Sequence, residues 1–103
     1  MNIRLITRQI ERTQDIVEHA QRRAVFACDR FAALVQDIDI RMSDINGPRG
    51  GTGIACLARL RLVSGGGVVV ESVGVSPEDS ITITMSRLAN RLRRLASRHQ
   101  DHR

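Results

Sequence analysis

The last third of the chain carries an amphipathic pattern that restricts how the protein can fold. Arginines recur there at spacings of four, three and four, and apolar residues recur at helical spacing beside them. At about 100° per residue, the arginines share one narrow arc and the apolar side chains form an adjacent stripe. The pattern predicts a helix that packs this stripe on a core and presents an arginine ridge about 16 Å long. The ridge is Arg87, Arg91, Arg94 and Arg98, and the stripe is Ile81, Met85, Leu88, Leu92 and Leu95.

The charge pattern favours a polyanionic partner for this ridge. No acidic residue lies between Ser80 and Gln100, so the ridge lacks carboxylates one turn away. The whole chain has 16 basic residues, all of them Arg, against 11 acidic residues, and its isoelectric point is near 11.2. Such a balance in a small domain is typical of nucleic-acid binding, and the alternative is an ordinary solvated helix face.

Length and composition favour a single domain in the cytoplasm. We expect residues 1–97 of the 103 to form the domain and residues 98–103 to be a frayed tail. No apolar run approaches the roughly 18 residues of a membrane span, and the N-terminus does not resemble a signal peptide. Cys28 and Cys56 are far apart and form no CxxC motif, so we expect free, buried thiols.

Alternation of apolar and polar residues predicts four strands. It is strictest in residues 36–44, where Ile38, Ile40 and Met42 alternate with charged residues. A glycine-rich stretch at 64–67 predicts a hairpin. The other three strands are predicted at 2–7, 56–63 and 68–75.

Two helices complete the pattern. Thr13 is predicted to cap the first helix, whose apolar face is expected to continue to Phe31 and Leu34, and Ser76 is predicted to cap the second. The order β-α-β-β-β-α favours an α+β fold, a four-stranded sheet with both helices on one face. The predicted core is Ile3, Leu5, Ile16, Ala20, Phe31, Ile38, Ile40, Leu60, Leu62, Leu88 and Leu92. The other sheet face would display Arg4, Arg41, Arg59 and Arg61 with Asp37, Asp39 and Glu71.

The loop at 44–53 offers a second basic site. Its Gly47-Pro48-Arg49-Gly50 matches the GxxG pattern of KH domains, but in a KH domain that loop joins two helices, whereas here it joins strands. We therefore consider two hypotheses. Either Arg49 and exposed glycine N–H groups bind a phosphate, or the loop is flexible and becomes ordered only on binding.

The sequence gives little support for an enzyme. His19, His99 and His102 have no Cys or carboxylate at metal-ligand spacing, and neither Ser64 nor Ser76 lies in a nucleophile elbow. We expect no catalytic residue, metal or cofactor. Base stacking is also disfavoured, because Phe26 and Phe31 are the only Phe, Tyr or Trp residues. A further alternative is an RNA-binding or assembly module without a ribosomal site, which uses its sheet edge to dimerise.

Several segments together resemble the ribosome hibernation factors. This family comprises the hibernation-promoting factor and ribosome-associated inhibitor A proteins, also described as sigma-54 modulation proteins. The loop at 43–51 is similar to that of a short, divergent branch of the family. The segments that carry the resemblance are Met1-Asn2-Ile3-Arg4, the Thr13-capped helix, Arg41-Met42-Ser43-Asp44 and Arg87-Leu88-Ala89-Asn90-Arg91-Leu92-Arg93-Arg94.

The resemblance implies binding to 16S rRNA at the decoding region of the small ribosomal subunit, where the family overlaps mRNA and tRNA and inhibits translation under stress. Family positions that face 16S rRNA match Arg22, Arg23, Arg87, Arg93 and Arg94; Arg91, Arg98 and Arg49 complete the predicted site. The chain departs from the family at Asn90, where a basic residue is usual, and in lacking Tyr and Lys, and we expect it to lack the carboxy-terminal domain of the long form. These departures bear on affinity and on ribosome pairing, and a homodimer is left open.

Overall fold

A computed structural model describes residues 1–45 and 53–101, with side chains described up to residue 97. The element order is β-α-β-β-β-α, as predicted, with one short 3-10 helix added after the first helix. The elements are β1 (Asn2–Arg8), α1 (Gln14–Cys28), the 3-10 helix (Asp29–Leu34), β2 (Val35–Asp44), β3 (Ile54–Leu62), β4 (Gly67–Gly74) and α2 (Pro77–Asp101).

The four strands form one mixed sheet in the order β1-β2-β3-β4. The strands β1 and β2 are parallel and are joined through α1, whereas the other two pairs are antiparallel. The register places Ile38 opposite both Ile3 and Leu60, and Leu60 opposite Val68. Because successive strand residues alternate between faces, these apolar residues share the face covered by both helices.

The core confirms the apolar pattern of the sequence. Leu88 and Leu92 of α2 are 0% and 1% exposed, and most of the other predicted core residues are buried. Ile3, Phe31 and Leu62 are partly buried and pack against this cluster. Burial of the α2 stripe therefore fixes which side of the helix presents arginines to solvent.

Side-chain caps fix the start of each helix. The Ile16 N–H donates to Thr13 Oγ1 at 3.2 Å, and the Asp79 N–H donates to Ser76 Oγ at 3.1 Å. Asp79 Oδ2 in turn accepts from the Val75 N–H at 3.0 Å. Both predicted caps are confirmed, and each satisfies a backbone donor that a helix start leaves unpaired.

The expectation that the apolar face of the first helix continues to Leu34 was wrong. The α-helix ends at Cys28, and Phe31 has non-helical angles (φ −122°, ψ 18°) within the 3-10 helix that follows. A 3-10 helix turns every three residues, so the 3.6-residue period that placed Leu34 on the apolar face is lost. Leu34 is 46% exposed.

Candidate nucleic-acid interface

The two helices lie side by side and run in the same direction. Near the start of α1, His19 Nε2 lies 3.1 Å from the Glu78 carbonyl oxygen and 3.0 Å from Thr82 Oγ1, both in the first turns of α2. Towards their C-terminal halves, residues such as Phe26 and Ala89 line a shared groove. The arginines of the two helices are therefore gathered at the same end of the helical layer.

The predicted arginines separate into two clusters on opposite sides of the buried α2 stripe. The first, which we term the edge cluster, is Arg87, Arg91 and Arg94, beside the outer strand β4. The second, the groove cluster, lies between α1 and α2 and contains the predicted Arg22, Arg23 and Arg93 together with Arg30, which was not among the predicted site residues. Arg93 lies about 120° around α2 from Arg87, which follows from helical geometry. Arg49 and the side chain of Arg98 lie outside the described residues.

The edge cluster lines a shallow depression of about 320 Å³ beside β4. Its three arginines are exposed. Arg87 Nη1 donates to the Glu71 carbonyl oxygen at 2.7 Å, which holds that side chain against the strand edge. Within the described part of the chain, the side chains of Arg91 and Arg94 make no hydrogen bond or ion pair. Their guanidinium groups are thus available to phosphate oxygens, with which Arg forms paired hydrogen bonds.

The groove cluster surrounds a larger groove of about 1020 Å³ with an apolar lining. Arg23 Cζ lies 5.4 Å from the centre of the Phe26 ring, within the range of a cation–π contact. Arg23 Nε is buried and, among the described residues, has no hydrogen-bond partner. Arg93 donates to Asn90 Oδ1. Asp29 is the one acidic residue among the described groove residues, so the groove is electropositive.

On the opposite face of the sheet, acidic residues pair with the arginines. Arg4 Nε lies 3.0 Å from Asp39 Oδ1, and Arg61 Nε lies 2.9 Å from Asp37 Oδ1. The hydrogen bond from Arg61 holds the pKa of Asp37 below its usual value, and the hydrogen bond to Asp39 raises the pKa of Arg4. Both arginines thus form ion pairs with carboxylates of the neighbouring strand β2. Of the four arginines predicted for this mixed-charge face, Arg4 and Arg61 are thus paired with its carboxylates.

Phe26 is a surface feature that the sequence analysis missed. The side chain is 76% exposed and lies on the groove between the helices, next to Val25, which is 47% exposed. The signal was present in the sequence, because Phe26 falls about 100° away from Ala27 and off the buried stripe of α1. The low aromatic content argued against base stacking by either ring, but of the two only Phe31 packs against the core.

The described residues contain neither a group of metal ligands nor a membrane-spanning helix. They contain no group of three or more His, Cys, Asp or Glu residues that could hold a metal ion. None of the described helices combines the length and apolar character needed to cross a lipid bilayer. Cys28 and Cys56 are free and buried, as predicted.

Comparison with known proteins gives one family and one fold. The model of the family described as sigma 54 modulation protein / S30EA ribosomal protein matches residues 3–100. The N-terminal domain of Protein Y from Thermus thermophilus has 20% sequence identity and a TM-score of 0.77, with 92% of this chain and 99% of that chain covered. A ribosomal subunit interface protein from Coxiella burnetii has 12% identity and a TM-score of 0.78, with 94% and 99% covered. At these identities the structures establish a shared fold. No curated protein sequence matches the chain significantly.

Proposed function

Because the chain belongs to the sigma 54 modulation protein / S30EA ribosomal protein family, we propose that it is a non-enzymatic ribosome hibernation factor. It binds 16S rRNA at the decoding region of the small subunit, occupies the places of mRNA and tRNA, and inhibits translation in the cytoplasm under stress. The family membership supports the ribosome as the partner. The arginine clusters of the helical layer support rRNA as the part of the ribosome that is bound.

The observation that carries the proposal is the uneven pairing of the arginines. Arg4 and Arg61 of the open sheet face form ion pairs, whereas no arginine of the edge or groove cluster is paired with a carboxylate of the described residues. A polyanion that contacts the helical layer therefore gains charge-assisted hydrogen bonds without breaking internal ion pairs. The affinity would come from phosphate contacts and from shape, with little reading of base sequence.

The test compares two triple variants that remove the same charge from opposite sides of the molecule. In the first, Arg87, Arg91 and Arg94 become Gln; in the matched control, Arg8, Arg41 and Arg59 of the open sheet face become Gln. All six arginines are exposed, so thermal stability should change by no more than about 0.5 kcal/mol per site. Dissociation constants for purified small subunits are measured at several salt concentrations for the wild type and both variants.

We expect the edge-cluster variant to bind more weakly and to show a flatter salt dependence. The log–log slope should fall by roughly 0.7 to 0.9 for each phosphate contact removed. The control should lose less affinity, and bound wild-type protein should prevent mRNA and tRNA from binding the subunit. Equal losses in the two variants would contradict the role of the helical layer. A wild-type protein that binds free RNA but not small subunits would favour the module without a ribosomal site.

A further inference from the structure

We propose that the groove between α1 and α2 holds one unpaired nucleobase of the bound RNA, stacked on Phe26, with groove-cluster arginines on the adjoining phosphates. This inference rests on the proposed RNA binding and adds a specific contact to it. Nucleobases are planar and largely apolar on their faces, and every nucleotide also carries an anionic phosphate. A pocket for one unpaired nucleotide therefore needs an exposed ring beside cations.

The exposure of Phe26 is the first observation behind this proposal. Three quarters of its surface is open to solvent, although an aromatic side chain of this size normally contributes to a core or an interface. The adjacent groove surface is also apolar and includes Phe31, Met85 and Ala89. An aromatic platform is therefore available that the fold itself does not use.

The cations around this platform are the second observation. Arg22, Arg23, Arg30 and Arg93 line the same groove, and Asp29 is the one carboxylate among the described residues that line it. Arg23 lies against the Phe26 ring, and its Nε is buried without a partner in the described structure. No carboxylate of the described residues forms an ion pair with Arg23, so an anion close to the ring would be stabilised.

The position of Asn90 connects the groove to the edge cluster. Asn90 lines both the groove and the depression beside β4, and its Oδ1 accepts from Arg93. A strand of RNA that places one base on Phe26 can therefore continue across Asn90 to Arg91 and Arg94. An amide at this point presents donors and an acceptor without adding a further charge.

The charge of the groove favours a nucleotide over a second copy of the chain as its occupant. Each copy has a formal net charge of +5, and the four arginines around the groove would repel another basic surface. A nucleotide complements both the apolar platform and the cations. Self-association through Phe26 is accordingly an outcome that the test must be able to detect.

The test uses the full chain with Phe26→Ala, Phe26→Leu and Phe26→Trp, and Val75→Ala as the control. Val75 is 90% exposed and lies outside the groove, so its truncation changes apolar surface without touching the platform. Affinity for purified small subunits and its salt dependence are measured for each variant. Thermal unfolding establishes that each variant is folded, which is expected because Phe26 contributes little to the core.

We expect Phe26→Ala to weaken binding about tenfold, in line with the loss of one base–aromatic stack. Its salt slope should stay at the wild-type value, because stacking releases no counterions. Phe26→Leu should bind nearly as weakly as Phe26→Ala, and Phe26→Trp should bind at least as tightly as the wild type. The Val75→Ala control should match the wild type.

The Phe26→Trp variant also supplies a direct readout, because the natural chain contains no Trp. A short single-stranded RNA should quench its fluorescence more strongly than a duplex of the same length, since paired bases are not free to stack on it. Equal quenching by both RNAs would overturn the proposal. Binding of small subunits by Phe26→Ala or Phe26→Leu with wild-type affinity would also overturn it. The proposal would equally fail if sedimentation showed a dimer of the protein that only Phe26→Ala abolishes. If the wild type does not bind small subunits at all, the proposed function fails first, which is a distinguishable result.

Discussion

At the residue scale, the partner of each arginine determines what that arginine can do. Arg4 and Arg61 are held by carboxylates across neighbouring strands, so their charge is largely satisfied within the protein. Arg91 and Arg23 have the same side chain but no anionic partner among the described residues. Such a difference depends on tertiary neighbours, and it explains why a count of basic residues predicts a polyanionic partner without identifying the surface that binds it.

The buried cysteines illustrate how the environment controls reactivity. Burial raises the pKa of the Cys28 thiol to about 11. Burial also raises the pKa of the Cys56 thiol, and a hydrogen bond with Thr84 partly offsets that increase. At pH 8, a thiol with a pKa near 11 is deprotonated in only about one molecule in a thousand. We predict slow labelling of the native protein by a thiol reagent and rapid labelling of two thiols after denaturation.

The labelling rate of the native protein should depend on pH. The thiolate is the reactive form, so the labelling rate of the native protein should rise about tenfold per pH unit up to the raised pKa. Rapid labelling of either thiol in the folded protein at pH 8 would show that the site is open to solvent.

At the element scale, periodicity and capping residues predicted most of the fold. Thr13 and Ser76 marked both helix starts, and the alternation around Ile38 and Ile40 identified a strand. The separation of Arg93 from Arg87 follows from helical angles, but which surface each one faces depends on where α1 and β4 lie beside α2. Leu34 was placed wrongly because a non-helical residue at Phe31 interrupts the period. That interruption carries no glycine or proline signal in the sequence.

The contact between β4 and the start of α2 is tight enough to test by a single substitution. A Cβ atom at Gly74 would lie 2.6 Å from the backbone nitrogen of Ser80 and 2.8 Å from its Cα. Backbone atoms cannot rotate away, so Gly74→Ala should displace the first turn of α2. We predict a loss of about 1 to 3 kcal/mol in the free energy of unfolding, measured by denaturant titration.

Val75→Ala is the matched control for this prediction. Its side chain is 90% exposed one residue further on, so its truncation should change stability by at most about 0.5 kcal/mol. A Gly74→Ala variant as stable as this control would mean that the strand and helix are less closely packed than the distances indicate.

At the scale of the whole molecule, the charges divide the protein into two unlike faces. The arginine clusters lie further along the two helices, whereas the acidic residues Asp15, Glu78 and Asp79 lie in the first helical turns. The open sheet face combines arginines with Asp37, Asp39 and Glu71. A polyanion approaching from solution is therefore attracted more strongly to the helical layer. This asymmetry predicts an orientation as well as an affinity, and orientation can be measured on the bound protein.

Tethered cleavage of RNA should report that orientation. A cysteine introduced at Ser86, which lines the groove, or at Ile6, on the open sheet face, can carry an iron chelate that generates hydroxyl radicals. The native thiols are buried, so labelling is selective for the introduced residue. On small subunits, we predict stronger and more localised cleavage of 16S rRNA from position 86 than from position 6, because the helical layer is the proposed rRNA interface. Labelled wild-type protein provides the background, and stronger cleavage from position 6 would reverse the proposed orientation.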